Sequence, residues 1–226
     1  MIKKITTALL LAVSLFGFES KYLPNIDIDT KCSKILHKSA MDICYSYKWK
    51  APKLAVYSIT AQDMKKHHYK RKGLTFKPDY QVPIKYRSYT RDYSHTGFDR
   101  GHNAPNAAFS YDRKLQKETF LLSNISPQKP QLNRRLWAKI ERFARMQASW
   151  HGKVNVVNGT CGSLGHIRNG VNIPAYWYKI IFLPSGKTVS FLSPNTNNGM
   201  SKAKIKDYMS SLDEIKNRCN IGFDLR

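Results

Sequence analysis

Acidic residues are scarce. Fifteen Asp and Glu stand against 38 Lys and Arg in 226 residues, a formal net charge of +23 and a pI near 9.9. The basic residues are not gathered in a tail, since 71–72, 85–91, 100, 113–117, 134–145 and 202–206 all contribute. A disordered basic arm is therefore excluded, and with 42% hydrophobic and 12% aromatic residues the chain reads as a folded body with a positive surface. Such a surface draws polyanions, and the other reading is a basic exported protein without one. No apolar run beyond the N-terminus is long enough to cross a bilayer. No C-x-x-C or H-x-x-x-H spacing is present, which argues against zinc held by the cysteines. Internal repeats and dividing linkers are also missing, so 21–226 reads as one domain.

Residues 1–20 carry Lys3 and Lys4 ahead of an apolar stretch from Ile5 to Phe18. That is the layout of a signal peptide, although no clean A-x-A site follows. The cut is placed between Gly17 and Ser20, and an uncleaved N-terminal anchor is the alternative. An exported chain with four cysteines favours disulfides. Of the three possible pairings, Cys32–Cys44 with Cys161–Cys219 is preferred, because the first closes a short local loop.

The runs 43–47 and 54–59, separated by Lys50-Ala51-Pro52-Lys53, predict a hairpin. Residues 61–98 read as loop, and Asp112 caps a short helix reaching Thr119. From Leu132 to Trp150 there is no Gly or Pro, and apolar residues recur at three and four, which predicts a helix. Strands are expected at 154–157, 176–183 and 188–192. Residues 201–217 read as an amphipathic helix with Ile205, Tyr208, Met209, Leu212 and Ile215 on one side. Without strict βαβ alternation, the fold class is α+β, a mixed and mainly antiparallel sheet flanked by helices.

The chemistry concentrates in residues 99–145. In Asp99-Arg100-Gly101-His102, glycine permits a sharp turn that brings the next side chain forward. An imidazole suits proton abstraction from water near neutral pH, and the Arg100 fork suits a phosphate. On the following helix, Asn133, Trp137, Glu141 and Arg145 step by four along one drifting face. Asn133 offers a hard oxygen to Mg²⁺ or Mn²⁺. Glu141 can hold metal-bound water and Arg145 a phosphate, or the two form a solvated (i, i+4) pair. An imidazole, oxygen donors and arginines together are what one-metal phosphodiester cleavage requires. His67, His68, His151 and His166 read as surface residues, and His95 lies close enough to reach the same cleft. The triplets Asn124-Ile125-Ser126 and Asn158-Gly159-Thr160 match the glycosylation pattern by coincidence.

Three ordered motifs carry a resemblance: Asp99-Arg100-Gly101-His102, then Leu122-Ser123-Asn124-Ile125-Ser126-Pro127-Gln128, then Leu132-Asn133-x-x-x-Trp137-x-x-x-Glu141. Over about residues 45–200 the chain resembles the DNA/RNA non-specific endonucleases, the ββα-metal nucleases. The resemblance implies a ββα-metal active-site motif with His102 as general base and Asn133 as the direct protein ligand of Mg²⁺. It further implies that Glu141 holds metal waters, that Arg100 and Arg145 lie near the scissile phosphate, and that Asn124 supports the site. Arg71 is the candidate for a further, upstream phosphate-binding arginine. The expected activity is Mg²⁺-dependent hydrolysis of DNA and RNA to 5′-phosphate ends, with Mn²⁺ as a substitute, in a periplasmic or secreted protein. A non-catalytic nucleic-acid-binding or DNA-uptake protein on the same fold is the alternative, and the oligomeric state, a homodimer included, is open.

Overall fold

The structure, a computed structural model, describes residues 17–225. The leader expected over 1–20 thus lies mostly outside the described residues. Among the described residues eleven strands are formed: β1 Ile26–Asp29, β2 Lys34–His37, β3 Asp42–Ser46, β4 Ala51–Thr60, β5 Asp99–His102, β6 Ile125–Gln128, β7 Lys153–Cys161, β8 Tyr176–Phe182, β9 Thr188–Pro194, β10 Met209–Ser210 and β11 Gly222–Leu225. The helices are α1 Ala61–Met64, α2 Asn106–Phe109, α3 Arg113–Thr119, α4 Ala138–His151 and α5 Leu212–Cys219. Seven strands make one sheet in the order β10-β9-β8-β7-β4-β3-β2. Each of its pairings is antiparallel. The expected mixed character shrinks to an isolated parallel bridge between Lys77 and Leu121.

The central strands are apolar on both faces, because both are covered. On one face Ala55, Tyr57, Ile59, Val154, Val156, Trp177 and Ile181 pack against Leu136, Trp137, Ile140, Ala144 and Ala148 of the long helix. On the other, Leu54, Val56, Val157, Tyr178 and Ile180 pack against Phe18, Leu23, Ile28, Ile215 and Ile221. The two sets alternate along each strand, as the period of two demands. Helices α3 and α5 start where side chains capture free amides. Asp112 accepts from the Lys114 and Leu115 N–H groups at 2.7 and 3.1 Å, and Ser211 accepts from Glu214 N–H at 3.0 Å.

Residues 201–217 do not form one helix. A 3₁₀ turn covers Ile205–Tyr208, β10 then pairs with β9 (Met209 opposite Phe191), and α5 begins only after Ser211. Ile205 and Tyr208 pack on the α4 side of the sheet, whereas Leu212 and Ile215 belong to the opposite cluster. The apolar residues serve two faces, so the chain has to cross the sheet edge between them. Met209, placed on the apolar side by periodicity, is 59% exposed.

Both preferred disulfides are present, Cys32–Cys44 and Cys161–Cys219, with Cα–Cα distances of 5.1 and 5.2 Å. The second ties the end of β7 to the end of α5.

Candidate active site

A two-stranded ribbon stands apart from the main sheet. Within it β5 runs antiparallel to β6, pairing Asp99 with Gln128 and His102 with Ile125. The chain then passes into the helical segment 132–151, whose first part, Leu132–Trp137, is π-helical. In a π turn the backbone hydrogen bonds reach back five residues instead of four. Here Trp137 is fully buried, 5.6 Å from Trp177 ring to ring, while Asn133 and Glu141 line the cleft. The four-residue steps therefore do not make a single exposed face.

Gly101 is required for a different reason from the one its sequence context suggested. It sits in an extended strand and not in a left-handed turn. A Cβ there would collide with Gln128 Oε1 and come within 2.9 Å of Trp177 Cη2. Close packing of β5 over the Trp177 ring, not a sharp turn, excludes a side chain.

The cleft, about 480 Å³, is lined by Arg71, Asp99, Arg100, His102, Asn133 and Glu141, with Arg134, Phe76 and Phe98 among its other walls. His102 is held between two rings, Phe76 at 5.4 Å and Phe120 at 5.3 Å. Burial, and behind it the positive charge of Arg71, lowers the His102 imidazolium to about 3, so the ring is neutral at physiological pH. Its Nε2 is buried without a hydrogen-bond partner, as are Arg100 Nε and Arg145 Nη1.

Asp99 organises the metal-ligand candidate. Its Oδ2 accepts from Asn133 Nδ2 at 2.9 Å, and Arg134 grips both carboxylate oxygens at 2.8 and 2.7 Å. A carboxylate only accepts, so the Asn133 NH₂ has to face Asp99, and the amide oxygen is left for the cleft. Burial alone would raise the Asp99 carboxyl, but hydrogen bonds from Arg134 and Asn133 and the charges of Arg134 and Arg100 outweigh it and hold it below the usual carboxylate range. Among the described residues no cluster of three His, Cys, Asp or Glu could grip a metal. The donor set instead suits a hard cation held by one amide oxygen and water, with Glu141 nearby.

Asn124 is fully buried and does not line the cleft. Its Nδ2 donates to the carbonyls of Ala104 and Thr119, both at 2.9 Å, and its Oδ1 accepts from Ala104 N–H at 2.8 Å. It holds the chain just after His102. Asn158 is equally buried, so neither glycosylation-like triplet presents an accessible asparagine. Arg145 sits behind Glu141, close enough for its charge to act on Glu141, Lys179 and Tyr57. Arg71 stacks over Phe120 at 4.9 Å and Phe76 at 5.5 Å. His95 is exposed, and the cleft lining does not include it.

Sequence reasoning missed Lys179. It is fully buried on β8, donates to Tyr57 Oη at 3.0 Å and lies 5.6 Å from the Trp137 ring. Burial lowers its ammonium to about 8, partly offset by Glu141, and burial raises the Glu141 carboxyl against the charges of Lys179 and Arg145. The signal was a lone charge inside Tyr176-Trp177-Tyr178-Lys179-Ile180-Ile181-Phe182.

A β-ribbon feeding a helix, with one neutral histidine, one outward-facing asparagine oxygen and converging arginines, defines a ββα nuclease-type site. Residues 21–226 match the DNA/RNA non-specific endonuclease family, and the chain belongs to it. A mitochondrial nuclease of Saccharomyces cerevisiae is 35% identical over 117 residues, 51% of this chain and 36% of that protein. Nuclease C1 of Cunninghamella echinulata var. echinulata is 35% identical over 152 residues, 58% of this chain and 60% of that one. A nuclease of Nostoc sp. is 29% identical over 160 residues, 66% of this chain and 58% of that one. The matches thus span between about a third and three fifths of these relatives' lengths. A crystal structure of the EndoG/EndoGI complex contains a chain with the same fold, at a TM-score of 0.76 and 24% identity, covering 83% of this chain and 84% of that one.

Proposed function

We propose that the protein is an exported, divalent-metal-dependent endonuclease that hydrolyses DNA and RNA with little sequence preference and leaves 5′ phosphates. The observation that carries the reading is His102: a neutral imidazole with an unpartnered Nε2, in a cleft shared with Asn133 and three arginines. His102 takes a proton from water as that water attacks phosphorus, a role worth roughly 10²–10⁴ in rate. Arg100 and Arg71 bind the phosphate from the cleft walls, and Arg145 adds positive charge beside Glu141. Asn133 and Glu141 would hold Mg²⁺ and its waters, with Mn²⁺ as a substitute. When bound, the cation neutralises charge on the pentacovalent phosphorus and the leaving 3′ oxygen. Asp99 keeps the Asn133 oxygen turned to the cleft, and Asn124 fixes the backbone behind His102.

Backbone contacts from many lysines and arginines carry no sequence information, consistent with a non-specific enzyme. Two disulfides and the basic–apolar N-terminus support export to the periplasm or beyond. Incubating supercoiled plasmid and RNA with the protein, with Mg²⁺ or with chelator, tests the proposal. Both substrates should be cut, and chelation should abolish cutting. Tight binding without any cleavage would favour the non-catalytic nucleic-acid-binding alternative.

A further inference from the structure

A second hollow of about 340 Å³ lies beside the cleft, within the size range of small-molecule sites. One wall is the segment 73–77 and the other is α3 with the residues that follow it. Leu74, Phe120 and Leu121 supply apolar surface, and Lys77, Lys114 and Lys117, all exposed, stand around it. Glu118 is the one acid in the lining, and its Oε2 is committed to Ala40 N–H at 2.8 Å.

Phe120 separates this hollow from the cleft. Its ring meets His102 edge-on at 5.3 Å and lies under the Arg71 guanidinium at 4.9 Å, and it also lines the second hollow. The two sites are therefore one aromatic ring apart. Lysines alone would suit any stretch of phosphate backbone, and an apolar hollow alone would suit many ligands. Together, next to a phosphate-directed arginine, they match a flat apolar group carried on a phosphate chain.

We propose that this hollow receives the nucleobase next to the scissile phosphate, turned out of its stack, with Lys114 and Lys117 on the neighbouring phosphates. The proposal rests on cleavage taking place at His102. A base has to leave its neighbours to enter, which costs least in single strands. The protein should therefore cut single-stranded DNA and RNA in preference to duplex. The walls offer few groups that read base edges, so base identity should matter little.

The test uses single-stranded 12-mers carrying one abasic site, moved a position at a time. Cleavage at the bond on one side of the abasic site should fall about tenfold, as expected for loss of one stacked base, with more distant bonds cut normally. Thr75→Trp, at an exposed lining position, should lower kcat/KM on intact single strands by a similar factor and remove the distinction between intact and abasic substrates. In parallel, an oligonucleotide with 2-aminopurine at each position in turn is bound in chelator. Averaged over binding registers, a fraction of the fluorophore should be shielded from acrylamide at interior positions, and Thr75→Trp should expose it. Cleavage with no positional effect would overturn the base pocket while leaving the endonuclease standing. Shielding that Thr75→Trp removes, without any cleavage, would uphold the pocket and overturn the endonuclease reading.

Discussion

At the scale of single residues, the site depends on groups that complete one another's hydrogen bonding. Asp99 spends its carboxylate on Asn133 and Arg134, while His102 has no protein partner for Nε2. His102→Ala should leave folding and DNA binding intact and lower turnover 10²-fold or more, measured as kcat alongside circular dichroism and a binding titration. Cutting at the unaltered rate would refute the mechanism. Asn133→Ala should be similarly damaging but partly restored by raising Mg²⁺, because the waters and Glu141 remain. The imidazole also sets a pH dependence. Its folded value, near 3, lies below the ordinary 6.5, so the neutral base persists through mildly acidic solution. The acid limb of kcat/KM should therefore fall below pH 5 and not near 6.5. The same shift means that unfolding takes up a proton once the pH drops under 6.5. Its contribution to stability is full above 6.5 and declines as the pH falls toward 3. An acid limb centred at 6.5 would show an exposed, ordinary histidine. The motif residues were legible from their types and order. Lys179 and the packing demand at Gly101 were not, because each depends on the opposing Tyr57, Trp137, Trp177 and Gln128, which come from distant parts of the chain.

Elements with a strong local signal were legible: the β3–β4 hairpin, the Asp112-capped α3, and the long helix through Trp150. Two features were hidden by their periodicity. The π turn at Leu132–Trp137 keeps apolar residues at three and four while changing which side chains face the cleft. The 201–217 segment looks helical because two apolar pairs bound for opposite faces, Ile205 with Tyr208 and Leu212 with Ile215, follow each other at helical spacing. Ser211 marked the true start of α5, through its bond to Glu214 N–H. The disulfides act at this scale. Their separations of 12 and 58 residues give loop-closure contributions of about 3 and 4 kcal/mol in the chain-entropy model. Replacing the Cys161–Cys219 pair with alanines should therefore destabilise more than replacing Cys32–Cys44, as read by denaturant midpoints. Alkylation of the unreduced protein should label none of the four thiols, and quantitative labelling would contradict the pairing.

For the whole molecule, the core reaches back into the segment expected to be cut off. Phe18 is 1% exposed and exchanges backbone hydrogen bonds with Ile28 at 2.7 and 3.3 Å. Ser20 donates to the buried Asp42 at 2.7 Å. A cut after Ser20 would strip a phenylalanine from the core, at a cost of about 3–5 kcal/mol. If the leader is removed, N-terminal sequencing of the mature protein should thus find Phe18 retained, and a chain beginning at Lys21 would contradict this. The charge sets the last expectation. Capture of nucleic acid by a body of net charge +21, the full chain's +23 less Lys3 and Lys4, releases counterions for each phosphate neutralised. Raising salt from about 50 to 200 mM should weaken binding by orders of magnitude if several phosphates are engaged. The loss should fall chiefly on KM, since His102 acts after capture. Arg145→Ala should behave differently. Its half-buried guanidinium acts on Glu141, so its loss should lower kcat, with salt dependence unchanged. Steady-state constants on a short oligonucleotide across that salt range separate the two. A KM indifferent to salt would mean that the positive surface serves some partner other than the substrate.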